Sequence, residues 1–368
     1  MIVKELFLDG FRNYGGISAQ FSDGVNVITG QNAQGKTNLI EAIYYLTAGR
    51  SFRPASDKEL ITFDRETARI RARVVSNERE QTLEARIFRG RRRELYANEV
   101  KLVKATELTG RLTAVLFCPD DLTLIKDGAS VRRKMMDNCL SQLRPGYLAA
   151  LMEYNRLYEH KTRILRDYHE KPALLELLDD FNLRMAQQSA RLIYYRSAFS
   201  DGLSKRAMEI HKEFAGGTEE LDIKYKTVGR METTGKKPEE LLPDLLEHQR
   251  EHRQAELKSG LCLSGAHKDD LEIEINGKAA RKFASQGQAR TASVSIKLAE
   301  RDIHENNRGE YPVLLLDDVL SELDSKRQSF IIDRIKHGQV FITCCDDTAV
   351  SACHSGKALR IDDGGLVR

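Results

Sequence analysis

The sequence predicts an α/β fold: a head built on a mixed sheet with an antiparallel β subdomain, split between the two ends of the chain, and a helical lobe inserted in its middle. Three observations carry this reading. Gly30-Gln31-Asn32-Ala33-Gln34-Gly35-Lys36-Thr37 matches G-x-x-x-x-G-K-[ST]; it follows an apolar strand-like run, Val25 to Thr29, and opens a helical run, Asn38 to Leu46. Val313-Leu314-Leu315-Leu316-Asp317-Asp318 reads as a buried strand that ends on two carboxylates. Between these segments the apolar period changes from two to three or four and then back.

Residues 1–128 are expected to form the first part of the head. Ile2 to Leu8 and Val25 to Thr29 are strand candidates, and Gly35 to Ala48 is the helix after the glycine-rich loop. Arg69 to Val74 alternates, with arginines on one face and Ile70, Ala72 and Val74 on the other; Leu83, Ala85 and Ile87 repeat the pattern after a charged turn. Arg89-Gly90-Arg91-Arg92-Arg93 then reads as a basic hairpin tip.

Residues 129–260 are expected to form the lobe, with apolar positions such as Leu148, Leu151, Tyr154 and Tyr158, then Leu174, Leu177, Leu178, Phe181, Met185 and Leu192, at helical steps. A helix of about 40 residues reaches about 60 Å at ~1.5 Å per residue. An antiparallel pair here makes a stub, too short for a long coiled-coil arm. Residues 261–368 return to the head. Leu271 to Ile275 alternates into an Asn276-Gly277 turn, Ser285 to about Glu305 is helical, and Val313 to Asp317 is a central strand. Ser325 to Ile335 is a helix, followed by short strands at Val340 to Thr343 and Ala358 to Ile361.

With 368 residues the chain has room for two or three domains at roughly 100–200 residues each. It is 41% hydrophobic and 31% charged, enough for a real core beneath a charged surface. A net charge of +3 does not by itself announce a nucleic-acid partner. Its distribution is more telling, because Arg65 to Lys104 holds 12 Lys/Arg against 6 Asp/Glu. Cys118, Cys139, Cys262, Cys344, Cys345 and Cys353 show no metal spacing, which fits free thiols in a reducing compartment. Charges interrupt the N-terminal run too soon for a signal peptide, and no apolar run approaches the roughly 18 residues of a membrane span. The expectation is a soluble, cytoplasmic protein without a membrane partner.

Each residue of the loop has chemical work. Its glycines let backbone N–H groups turn inward around a β-phosphate, and the helix N-terminus adds roughly half a positive charge. Lys36 reaches the β/γ oxygens of ATP or GTP, and Thr37 offers its hydroxyl to Mg²⁺. Asp317 is expected to hold the same metal and Asp318 to polarise the attacking water, unless Asp318 is only a helix cap. Ser285-Gln286-Gly287-Gln288 begins a helix and offers a second set of free N–H groups to an anion.

Taken together, these segments resemble the RecF family of the ABC/SMC-like ATPases over essentially the whole chain. The resemblance rests on Gly10-Phe11-Arg12-Asn13-Tyr14, Gly30 to Glu41, Phe117 to Leu122, His267-Lys268-Asp269-Asp270, Ser285 to Arg290 and Leu314 to Asp324. It implies an ABC-type P-loop ATPase head that is half of an active site. Two subunits would sandwich two ATP molecules, with Ser285 of one touching the γ-phosphate held by Lys36 of the other. Asp324 would order that interface, Arg12 would lie beside the nucleotide, and Asp120 and Asp121 would lie in a loop that senses the γ-phosphate. The chain departs from the family pattern at Ala266 and Lys268, where Pro and Arg are usual. Transporter-type relatives carry a histidine where this chain has Thr343-Cys344-Cys345, which argues against fast hydrolysis. His267 is catalytic, packed or solvent-facing.

The function implied is an ATP-dependent DNA clamp in recombinational repair and replication-fork maintenance, acting at single-strand gaps and duplex junctions. RecR, RecO and the recombinase RecA would be its partners, and an ATP-dependent homodimer its working form. Weak DNA-stimulated hydrolysis would reset it, with no chemistry on DNA. Arg71, Arg73, Arg91 and Arg92 are candidate DNA contacts, although a run of charge is often only a solvated face. Two other readings compete. A structural chromosome ATPase of the SMC type is disfavoured by the short arm. A transporter subunit is disfavoured by the long separation between loop and signature.

Overall fold

The computed structural model describes residues 1–345 and 356–367. Cys353 lies outside the described residues. The chain divides into two compact units, residues 1–123 with 296–368, and residues 124–295.

The first unit begins with β1 (Ile2–Asp9), β2 (Ile17–Gln20), β3 (Val25–Thr29) and α1 (Lys36–Ala48). It continues with β4 (Thr67–Ser76), β5 (Arg79–Phe88), β6 (Glu94–Ala97), β7 (Val100–Lys101) and β8 (Ala114–Phe117). In the second unit come α2 (Ala129–Leu143), α3 (Pro145–Asp167), α4 (Leu178–Phe214), β9 (Leu221–Lys226) and α5 (Pro238–Ser259). They are followed by β10 (Asp270–Ile275), β11 (Lys278–Ala279), α6 (Ala280–Phe283) and the start of α7 (Gln286–Arg308). The chain then returns to the first unit through β12 (Val313–Leu316), α8 (Ser325–Arg334), β13 (Val340–Cys344), β14 (Lys357–Asp362) and β15 (Gly365–Val367).

Two six-stranded sheets make the first unit. One is antiparallel, in the order β2-β1-β4-β5-β6-β7. The other, β15-β14-β3-β13-β12-β8, is parallel except for its edge strand β15. Helix α1 packs in a core with both sheets, which is why it shows no narrow apolar stripe. Leu39, Ile40, Ala42, Ile43, Tyr45 and Leu46 are all buried, in one cluster with Leu6 and Ile70 of the antiparallel sheet and Ile28, Leu315 and Phe341 of the parallel one. Gly49 ends the helix in the left-handed conformation, its N–H closing on the Tyr45 carbonyl at 2.7 Å.

The arrangement of strands fixes the site. Strand β13 lies between β3 and β12, in parallel register with both. The carboxyl ends of all three therefore open on one side, the side on which parallel α/β sheets bind ligands.

In the second unit α3 and α4 run antiparallel, as Arg196–Tyr147 at one end and Arg184–Glu153 further along show. Helix α4 has 37 residues, about 55 Å at ~1.5 Å per residue, consistent with a stub. The buried stripe of α3 is Tyr147, Ala150, Tyr154, Leu157, Ile164 and Leu165, one step away from the expected Leu148 and Leu151, and Leu177 is exposed. Strand β9 interrupts the expected all-helical stretch and pairs with β10 from Leu221↔Ile275 to Lys226↔Asp270. That pairing places residues 261–295, including Ser285, with the lobe. The second compact unit thus spans 124–295, where the sequence suggested 129–260.

Candidate nucleotide site

The glycine-rich loop leaves β3 and is braced from three sides. Asn13 Nδ2 donates to the Gln34 carbonyl at 2.8 Å, Tyr14 Oη to the Gly35 carbonyl at 2.9 Å, and the Gly364 N–H to the Gln34 carbonyl at 3.2 Å. Gly35 has φ 117, and a Cβ there would meet the Asn13 amide and the Tyr14 hydroxyl. Burial pushes the Tyr14 phenol well above its ordinary range, so it stays a neutral donor. These braces are long-range in sequence and were not read as such from the pattern.

Lys36 is buried, and its ammonium donates to the carbonyls of Gly30 (2.7 Å) and Gln31 (3.1 Å). Cys345, at the end of β13, also borders the loop. Its Sγ lies 3.6 Å from Lys36 Nζ and 2.9 Å from Asn32 Oδ1. The thiol thus stands beside the Lys36 ammonium.

Thr37 and Asp317 meet as expected: Thr37 Oγ1 donates to Asp317 Oδ1 at 2.9 Å. Thr343, on β13, adds two contacts. Its hydroxyl donates to the same oxygen at 3.0 Å and accepts the Asp318 N–H at 2.8 Å. Burial raises the Asp317 carboxyl above the ordinary carboxylate range, against the two threonine hydroxyls that lower it. Asp318 adopts φ 52, and its Oδ1 is buried without a hydrogen-bond partner. The short helix after it, Leu320–Glu322, starts from Val319, so Asp318 is no helix cap. Asp318 thus combines a left-handed backbone with a buried carboxylate oxygen that lacks a partner among the described residues. A hydroxyl and a carboxylate are hard oxygen donors that fit Mg²⁺.

Arg12 lies apart from this cluster in its contacts. Its guanidinium clasps the buried Glu41 of α1 through Nε (2.9 Å) and Nη2 (2.8 Å). Glu41 also accepts from Arg53 and Ser51, and these partners hold its carboxyl below the ordinary range against burial. Asp121 caps its own segment, accepting the Cys118 N–H at 2.9 Å, while Asp120 is exposed. Asp324 caps α8, accepting the Arg327 N–H at 3.0 Å.

In the second unit, Ser285 and Gln288 form a reciprocal cap on α7: Ser285 Oγ accepts the Gln288 N–H at 3.2 Å, and Gln288 Oε1 accepts the Ser285 N–H at 2.9 Å. Gln286 and Gly287 supply the first turn. The His267 to Asp270 segment is a structural fastening. His267 bonds Tyr154 Oη at 2.6 Å and the Cys262 carbonyl at 3.0 Å, and burial pushes its pKa down to about 4. Both of its ring nitrogens are engaged. Asp269 bonds Tyr225 and Arg196, and Asp270 clasps Arg132 at 2.7 and 2.9 Å.

Three of the four candidate DNA-contacting arginines face carboxylates. Arg71 lies near Glu84 and Glu99, Arg73 near Glu5 and Glu80, and Arg91 near Glu94. Arg92 is exposed.

Comparison with known proteins finds relatives along the whole chain. The family model for the RecF/RecN/SMC N-terminal domain matches residues 2–366. DNA replication and repair protein RecF of Acetivibrio thermocellus is 38% identical over 361 residues, 98% of each chain. The protein of the same name from Alkaliphilus oremlandii is 39% identical over 343 residues, 93% of each. Among solved structures, the recombination mediator protein RecF-ATP of the RecFOR pathway superposes with a TM-score of 0.90 at 35% identity, covering 99% of this chain and 96% of that one. An Smc head bound to the C-terminal winged-helix domain of ScpA shares the fold alone, with a TM-score of 0.59 at 16% identity over 100% of this chain and 96% of that one. With family model, full-length relatives and fold in agreement, the chain belongs to the RecF family of ABC/SMC-like ATPases.

Proposed function

We propose that this protein is an ATP-gated DNA clamp of recombinational repair. It would act at single-strand gaps and duplex junctions, promote recombinase loading with RecR, RecO and RecA, and be reset by weak, DNA-stimulated hydrolysis. The observation that carries the ATPase part is the convergence of Thr37, Asp317 and Thr343 beside a buried Lys36 and an unpartnered Asp318 carboxylate oxygen. The repair role and the RecO and RecR assignments are supported by the names of the relatives, and RecA and the gap preference rest on the family resemblance. The same full-length relatives favour this reading over a structural chromosome ATPase.

Lys36 would exchange the Gly30 and Gln31 carbonyls for β/γ-phosphate oxygens when ATP enters, with little movement of its side chain. Thr37 and Asp317 would hold Mg²⁺, which when bound neutralises phosphate charge. Asp318 would accept a hydrogen bond from the attacking water, its backbone fixed by Thr343. Positioning and charge neutralisation are most of what phosphoryl transfer requires.

Lys36→Ala is expected to abolish ATP binding, and Asp318→Asn to leave binding intact while hydrolysis falls to background. ATP binding by fluorescent-nucleotide titration and steady-state ATPase assays, with and without gapped DNA, test both. Parental turnover in Asp318→Asn, or no response of the parent to DNA, would refute this assignment.

A further inference from the structure

Phe63 is 91% exposed, in the turn between the short helix Asp57–Leu60 and β4. Its backbone is nevertheless firmly held. The Thr62 N–H donates to the Gly10 carbonyl at 2.8 Å and the Arg65 N–H to the Thr62 carbonyl at 3.0 Å. Arg89, from the loop joining β5 and β6, spends its guanidinium on this turn. It donates to the carbonyls of Arg65 (2.7 Å), Phe63 (2.9 Å) and Thr62 (3.2 Å). Pre-organising a turn so that it shows a phenyl ring to water makes sense when something takes the ring. The setting indicates what that is. Asp64 and Arg65 flank the ring, and the Arg89 loop continues into exposed Arg91 and Arg92. An exposed aromatic on a backbone held at several points, in a turn fastened to a loop that carries the exposed Arg92, suits a base with its phosphate better than an apolar protein pocket.

We propose that Phe63 stacks on a nucleobase exposed at the edge of a single-strand gap, with Arg89 as the positioning residue for its turn and Arg92 on the neighbouring phosphate. This rests on the DNA-clamp reading and adds to it the element that distinguishes a gap from intact duplex.

The chain contains no tryptophan, so Phe63→Trp creates a single emitter at this position. Gapped DNA should quench its emission, and a covalently closed duplex should not. Phe63→Ala should weaken binding to gapped DNA by about 5- to 150-fold, the span of alanine effects at stacked bases. Phe63→Tyr should restore binding, and affinity for closed duplex and for ATP should stay at the parental level. In Phe63→Trp combined with Arg89→Ala, the anisotropy of the free protein should fall and the DNA-induced quenching should vanish, with ATP affinity unchanged. Equal loss on gapped and closed DNA, no loss for Phe63→Ala, or an emission change on raising protein concentration without DNA would overturn the proposal while leaving the clamp reading standing. A parent that binds neither DNA would overturn both.

Discussion

Thr343 shows how one hydroxyl can serve two neighbouring acidic residues. It donates to Asp317 Oδ1 and accepts the Asp318 N–H, so it ties the residue proposed to hold Mg²⁺ to the one proposed to orient water. Thr343→Val keeps the shape, removes both bonds and leaves a buried N–H unpaired, a cost of about 1–3 kcal/mol. Thermal unfolding should register that loss and ATP turnover should fall with it; undiminished turnover would show that Asp318 needs no such support. His267 gives a pH prediction. Its folded pKa of about 4 lies below its ordinary 6.5, so the native state binds fewer protons between these values. The stability from neutral His267 is complete above pH 6.5 and is lost as pH falls towards 4. Asp269, raised to about 6 by burial, acts in the opposite sense over an overlapping range, so the comparison must be between variants. His267→Gln should lose less stability than the parent between pH 6.5 and 4 in denaturant titrations; parallel pH profiles would contradict this.

At the scale of elements, legibility followed locality. The span of β3, the first residues of α1 and the carboxylate strand β12 were readable because loop chemistry and an apolar run lie within a few consecutive residues. The alternation in β4 and β5 was readable because their inner positions, Ile70, Ala72, Leu83 and Ala85, are all buried. Strand β9 was missed although Leu221, Ile223 and Tyr225 alternate, because six residues between long helices carry little weight against a helical period. The braces from Asn13, Tyr14 and Gly364 were illegible for a different reason: each joins segments brought together only by folding. The basic face of β4 and β5 was legible as charge and silent about pairing. An arginine already matched by glutamate releases fewer DNA counterions than a free one. Arg92→Gln should therefore lower the slope of log affinity against log salt by roughly 0.9, the figure for one phosphate contact. Arg71→Gln, Arg73→Gln and Arg91→Gln together should lower it by less than three times as much. A full threefold effect would mean that these pairs open on DNA.

At the scale of the whole molecule, the glycine-rich loop belongs to one compact unit and the helix start capped by Ser285 and Gln288 to the other. Their separation into two compact units explains why the sequence placed Ser285 with the returning head while β9 and β10 hold it with the lobe. In the sandwich we propose, each γ-phosphate is shared between the cup of one subunit and the Ser285 helix of the other, giving two equivalent sites about a two-fold axis. ATP then favours the closed dimer by its differential affinity for it, and hydrolysis removes that difference. Sedimentation velocity of the Asp318→Asn protein with ATP and Mg²⁺, alone and combined with Ser285→Arg, tests this most directly. The account predicts a dimer for the single variant and an ATP-bound monomer for the double variant. A monomer in the first case, or a dimer in the second, would contradict it.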